Sequence, residues 1–73
     1  MSDALIECVP NFSEGRRAEV VESIVAAMAV EGAHLLDWSL DADHNRSVVT
    51  IAGPPAAVVE AAIRGAGKAA ELI

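Results

Sequence analysis

The spacing of apolar residues changes period several times along the chain, and each change marks an element. Ala4 to Val9, "ALIECV", is a short β-compatible run closed by Pro10, which predicts a strand. From Arg17 to Val30, "RAEVVESIVAAMAV", the period becomes helical. Val20, Val21, Ile24, Val25 and Met28 share one face, and Glu19 and Glu22 lie away from it. Ser13 or Asn11 is placed to cap the start of this helix, and Gly32 to end it. Ala33–Ser39, "AHLLDWS", and Ser47–Gly53, "SVVTIAG", read as two further strands. The polar, turn-forming residues "LDADHNR" between them predict a hairpin. Pro54 and Pro55 then open a second helix, since proline is tolerated in a first turn. Val58, Val59, Ile63, Ala66 and Ala70 are expected to form its apolar stripe. Glu60, Arg64, Lys68 and Glu71 are expected opposite, with Glu60 and Arg64 spaced as an i,i+4 pair.

The predicted order is β-α-β-β-α, an α+β, ferredoxin-like split unit with two helices on one face of its sheet and without the final strand. A right-handed crossover puts the first and third strands at the centre and the second at an edge. In the complete plan a fourth strand pairs with the free side of the first. Here that side is expected to be open, which invites pairing with another chain. The chain therefore reads as part of a larger unit or as a subunit completed by association. Apolar residues fall on both sides of the strands: Ile6 and Cys8 against Leu5 and Val9, and Val49 and Ile51 against Val48 and Ala52. Two helices cover only one face, so the other is expected to pack on something further.

Composition narrows the class. Of 73 residues 53% are hydrophobic and only 3% aromatic, which is globular but leaves room for only a small core. Eleven acids against five bases give a net charge of −6, with no basic patch to displace counterions from nucleic acid or to hold an anionic membrane. A single cysteine, Cys8, excludes an internal disulfide and suits a reducing compartment. The first residues, "MSDALIECVPNF", have no basic region and no long apolar stretch, so they do not read as a signal peptide. No segment reads as a transmembrane span. The expectation is a soluble, cytoplasmic chain.

Two polar clusters carry the candidate chemistry. "PNFSEG", Pro10–Gly15, follows a strand and precedes a helix, where backbone N–H groups gather and can hold an anion. Asn11 and Ser13 add hydrogen-bonding side chains, and Arg16 and Arg17 add groups suited to a carboxylate. The ordinary alternative is a helix cap and a turn. In the second cluster, Asp41, Asp43, His44, Asn45 and Arg46, Arg46 suits a carboxylate and an imidazole suits acid–base work. "DADH" lacks the full ligand spacing of a calcium or zinc site, so no metal is assigned. The ordinary alternative is a polar hairpin whose Asp and Asn side chains bond their own backbone. His34 is read as structural, Cys8 as a small core residue, and Trp38 as an anchor on the outer sheet face.

Together, "ECVPNFSEGR" (Glu7–Arg16) and "LLDWSLDADHNRSVVTIAG" (Leu35–Gly53), with "VVEAA" in the second helix, resemble the glutamate formimidoyltransferase family, also called formiminotransferase. The resemblance covers nearly the whole chain and matches the first part of that family's N-terminal subdomain. It implies transfer of a formimido group between N-formimidoyl-L-glutamate and tetrahydrofolate, in histidine degradation and one-carbon metabolism. It also implies a site between two subdomains of similar plan, in dimeric enzymes. Tetrahydrofolate would be a co-substrate, and no metal is implied. The family's catalytic histidine lies in a "GxHPRxGAxD"-like segment after the second helix, so no catalytic residue is assigned within these 73, and the chain alone is expected to be inactive. Asn11, Ser13, Glu14, His44, Asn45 and Arg46 are, by motif position, the expected substrate-binding residues. The expected partners are small-molecule substrates and the remainder of the transferase or another copy of the chain. Both substrates are anionic, so against a charge of −6 the local arginines must supply attraction. The competing reading is a non-catalytic ferredoxin-like module that oligomerises by its open edge or outer face, or that binds a small molecule without catalysis.

Overall fold

A computed structural model describes residues 4–73. It contains β1 (Ile6–Cys8), β2 (Asn11–Phe12), α1 (Ala18–Ala27), β3 (His34–Asp41), β4 (Arg46–Gly53) and α2 (Pro55–Leu72). β4 is the central strand. β1 and β2 pair with one side of it and β3 with the other, all antiparallel. This is the ferredoxin-like split unit, with both helices on one face.

β4 shows why the helices sit where they do. Ser47, Val49, Ile51 and Gly53 are buried, and Val48, Thr50 and Ala52, which alternate with them, are half-buried. A strand presents alternate residues to opposite faces, so the odd positions meet the helices. Val49 and Ile51 pack there with Val20 and Ile24 of α1, Met28 just past its end, and Val58 and Ala61 of α2. Burying such a side chain contributes about 1.5–3 kcal/mol, so these few residues hold most of the fold. Cys8 is half-buried against this core, as expected.

The β1 strand does not end its edge at Pro10. Asn11 and Phe12 pair with Val48 and Ser47, and the Pro10 carbonyl accepts the Val49 N–H at 3.0 Å. Proline removes a donor but keeps its acceptor, so the edge runs through it. The hairpin is also tighter than its sequence suggests. Asp41 pairs with Arg46, which leaves a turn of Ala42–Asn45.

The ends of α1 differ from expectation. Neither Ser13 nor Asn11 caps it: Arg17 is the N-cap, without a side-chain cap bond. Asn11 belongs to the sheet, and its Nδ2 donates to the Val9 carbonyl at 3.0 Å. The helix closes at Ala27 with Met28 as C-cap, and Gly32, at φ 91°, serves the turn beyond it.

The largest correction concerns α2. Val58, Ala61 and Gly65 face the core, and of the expected stripe Val59 is 52% and Ile63 63% exposed. Ala66 and Ala70 are exposed too. The helix is apolar on two sides, and the smaller residues win the core because α1 crosses there. A Cβ on Gly65 would stand 2.7 Å from Met28 Cγ. Val59, Ile63 and Ala66 instead line an open groove of about 400 Å³ with Ile6 and Cys8.

Candidate functional site

The two polar clusters, about thirty residues apart in sequence, meet. The Gly15 N–H donates to Asn45 Oδ1 at 3.0 Å, and Arg16 Nε donates to the Ala42 carbonyl at 2.9 Å. Only glycine permits this approach: a Cβ at position 15 would overlap the Asp41 carbonyl and the backbone N and O of Arg46. Asn45 takes a left-handed conformation, φ 51°, to aim its side chain, and asparagine tolerates that region better than most residues.

Glu14 organises the loop from inside. It is buried, and its Oε2 accepts the N–H groups of Arg16 (3.1 Å) and Arg17 (2.9 Å). Its Oε1 receives Arg17 Nε at 2.8 Å and Nη2 at 2.7 Å. The Arg17 N–H, then its guanidinium, then the Arg16 N–H lower its pKa to about 2, outweighing the opposing effect of burial. Both carboxylate oxygens are thus engaged by the loop's own donors. Ser13 is exposed at the start of this loop.

In the hairpin, Asp41 Oδ1 accepts the N–H groups of Asp43 and His44, and Oδ2 lies 2.7 Å from His44 Nδ1. The His44 ring, then its N–H, hold the Asp41 carboxyl below the usual carboxylate range. His44 stays 75% exposed at the tip. Of the chain's cations, Arg16, Arg17, Arg64 and Lys68 each have a hydrogen-bond or ion-pair partner. Arg46 has none among the described residues. It alternates with buried Ser47, so it lies on the sheet face that the helices leave uncovered.

Polar side chains line much of that face, around half-buried Val48 and Ala52 and with exposed Val9 beyond Glu7. Residues directly opposite in an antiparallel pair share a face. Glu7 and His34 flank Ala52, Asp37 lies opposite Thr50, Asn11 and Ser39 flank Val48, and Asp41 lies opposite Arg46. Of the expected binding residues, the fold brings Asn11 and Arg46 to this face. Asn45 meets Gly15, the neighbour of Glu14, where the loops join, and Ser13 and His44 lie on the loops themselves.

Sequence reasoning missed His34, Asp37, Ser39 and Thr50 on this wall and misplaced Trp38. The cause is an irregularity between Leu35 and Asp37 that leaves Leu36 as an extra residue. Strict alternation from Leu35, which faces the helices opposite Ile51, would send Asp37 the same way. The bulge reverses the parity, so Asp37 turns to the uncovered face and Trp38 lies opposite Val49 on the helix side, half-buried. His34, read as structural, is exposed on the open face. Two adjacent leucines in an otherwise alternating run are the one sequence signal of this bulge.

Among the described residues no three His, Cys, Asp or Glu side chains converge as a metal site, and no helix is long and apolar enough to cross a membrane.

The described residues form a split α+β unit with both helices on one face of the sheet and two motif loops latched to each other by the Gly15–Asn45 bond. The chain belongs to the formiminotransferase family: residues 5–73 match the formiminotransferase domain, N-terminal subdomain. It is 48% identical over 61 residues to the glutamate formimidoyltransferase of Streptococcus pyogenes, covering 82% of this chain and 20% of that protein. It is 46% identical over 71 residues to the glutamate formimidoyltransferase of Thermoplasma acidophilum, covering 96% and 23%. With the formimidoyltransferase-cyclodeaminase of Gallus gallus it shares 50% identity over 70 residues, covering 94% and 13%. The chain thus spans less than a quarter of the length of each of these relatives.

Proposed function

We propose that the chain supplies one wall of a glutamate formimidoyltransferase site, at which a formimido group passes between N-formimidoyl-L-glutamate and tetrahydrofolate. The observation that carries this reading is Arg46: a guanidinium without a partner among the described residues, on the uncovered face, at the base of a hairpin latched to the Pro10–Gly15 loop. A planar guanidinium matches a carboxylate with two parallel hydrogen bonds, so Arg46 takes a carboxylate of the glutamate moiety. Asn11, two residues from Ser13 and on the same face, offers an amide beside it.

Glu14 acts in this scheme as a positioning residue. It fixes the loop whose Gly15 N–H holds Asn45, and it does not itself meet substrate. In the reaction, the folate amine attacks the formimido carbon and the resulting tetrahedral intermediate collapses with loss of glutamate. The proton transfers need a group beyond these residues, which bind and orient. Among the described residues β1 pairs only with β4; its other edge and the apolar groove beside it, lined by Val59, Ile63 and Ala66, support completion of the unit by the remainder of the transferase.

The test is complementation in trans. The chain is mixed with a polypeptide comprising the remaining segments of such a transferase, and formimido transfer to tetrahydrofolate is followed. Transfer that requires the chain and is lost with Arg46→Ala supports the reading. Transfer unaffected by Arg46→Ala, or a chain that forms a stable closed oligomer and never complements, contradicts it. The latter outcome would favour a non-catalytic module that buries the same groove and edge against its own copy.

A further inference from the structure

The uncovered face has a second end that the carboxylate-binding role leaves unused. Asp37 stands near the middle of the face, exposed, opposite Thr50, and makes no hydrogen bond or ion pair among the described residues. It is there because of the bulge at Leu36, since regular alternation would have turned it to the helices. Bulges re-aim single side chains and are over-represented beside active sites. Thr50 and Arg46 are four residues apart on β4, about 14 Å at the rise of an extended strand. The face therefore carries Arg46 at one end, across from Asp41, and the exposed carboxylates of Asp37 near its middle and Glu7 beyond.

From this polarity, and resting on the reading of the face as a wall for formimidoylglutamate, we infer that Asp37 is the specificity-determining residue for the formimido group. That group is an amidine and carries a proton at neutral pH. It is planar, with paired N–H donors and a positive charge, and so presents to a carboxylate the same fork that a guanidinium does. Arg46 and Asp37 together then select a ligand that is anionic at one end and amidinium at the other. The placement also answers the charge objection: an acidic chain binds this substrate because its carboxylate meets the substrate's cationic end.

The ligand that separates this inference from the underlying reading is N-formyl-L-glutamate, which has the same shape and carboxylates but a neutral oxygen in place of the protonated nitrogen. Binding of both compounds is measured by calorimetry on the 73-residue chain, Asp37→Asn, Asp37→Glu and Arg46→Ala, with circular dichroism to confirm the fold. The wild-type chain is expected to prefer the formimidoyl compound by about ten- to a hundredfold, the range of a hydrogen bond to a charged group. Asp37→Asn should erase that preference by weakening the formimidoyl compound without weakening N-formyl-L-glutamate, and Asp37→Glu should restore part of it. Arg46→Ala should weaken both ligands alike. Equal weakening of both by Asp37→Asn, or a preference that survives it, overturns the inference. Binding of both without preference by the wild-type chain overturns it while leaving the carboxylate role of Arg46 standing. Binding of neither overturns that role and the inference together.

Discussion

One strand carries two chemistries. Along β4 the side chains turned toward the helices, Val49 and Ile51, are buried to 0% and 1% exposure, and their neighbours turned the other way are half-buried among polar groups. On the covered face a side chain is worth what it excludes from water. On the uncovered face, Arg46, Asp37, Asn11 and His34 contribute little to folding and so remain available for a ligand. The contrast shows how a chain with so small a core divides its residues: stability comes from one side of the sheet, the other carries the proposed recognition, and the strand's period of two keeps them apart.

The sharpest break in that comparison is Ile51→Ala. Removing a buried isoleucine costs about 2–5 kcal/mol, and a core of this size supplies only a few kcal/mol. Loss of a cooperative thermal transition is expected by circular dichroism. Gly15→Ala should come next, because the added methyl meets backbone rather than a yielding side chain. It should separate the two motif loops, lower the melting temperature and abolish carboxylate binding together, as followed by calorimetry and the Asn45 amide resonances.

Glu14→Gln should act more mildly and with a pH signature. Folding lowers the Glu14 pKa to about 2, below its unfolded value near 4.5. The carboxylate's contribution is therefore fully present above about pH 4.5 and lost as pH falls toward 2. The variant should melt several degrees lower at pH 7, and the two proteins should converge on acidification through that window. Convergence at neutral pH instead would show that the carboxylate's charge is idle.

Smaller still, Arg46→Ala should change stability by less than about 0.5 kcal/mol in chemical denaturation while removing the anion site. Ser47→Ala tests the comparison from the opposite side. The Ser47 hydroxyl is buried without a hydrogen-bond partner among the described residues, and an unsatisfied buried polar group costs free energy. Alanine there should be neutral or stabilising by up to about 1 kcal/mol, although the position is as buried as Val49.

Much of this arrangement was legible in the chain. Apolar spacing located all the major elements, and the "VPNFSEG" and "DADHNR" segments pointed to the loops that do meet. What escaped were features set by tertiary contact. Alternation cannot reveal a bulge, so it does not show that Trp38, read as an anchor on the outer face, lies opposite Val49 on the helix side. Periodicity alone also cannot rank two apolar faces of one helix. The crossing of α1 at Gly65 decided for the smaller face of α2 and left Val59 and Ile63 outside. Ser13 and Asn11 are good caps by residue type, but the sheet pairing at Val48 claimed Asn11, and Glu14 holds the N–H groups of Arg16 and of the N-cap Arg17, just ahead of the helix.

The most direct test of the division between faces is an amide chemical-shift titration of the chain with N-formimidoyl-L-glutamate. The account predicts shifts confined to Asn11, Gly15, Asp37, Asn45, Arg46 and Thr50, with Val21, Ile24 and Ala61 unmoved. Shifts centred on the α1–α2 side, or spread evenly over the chain, would contradict it.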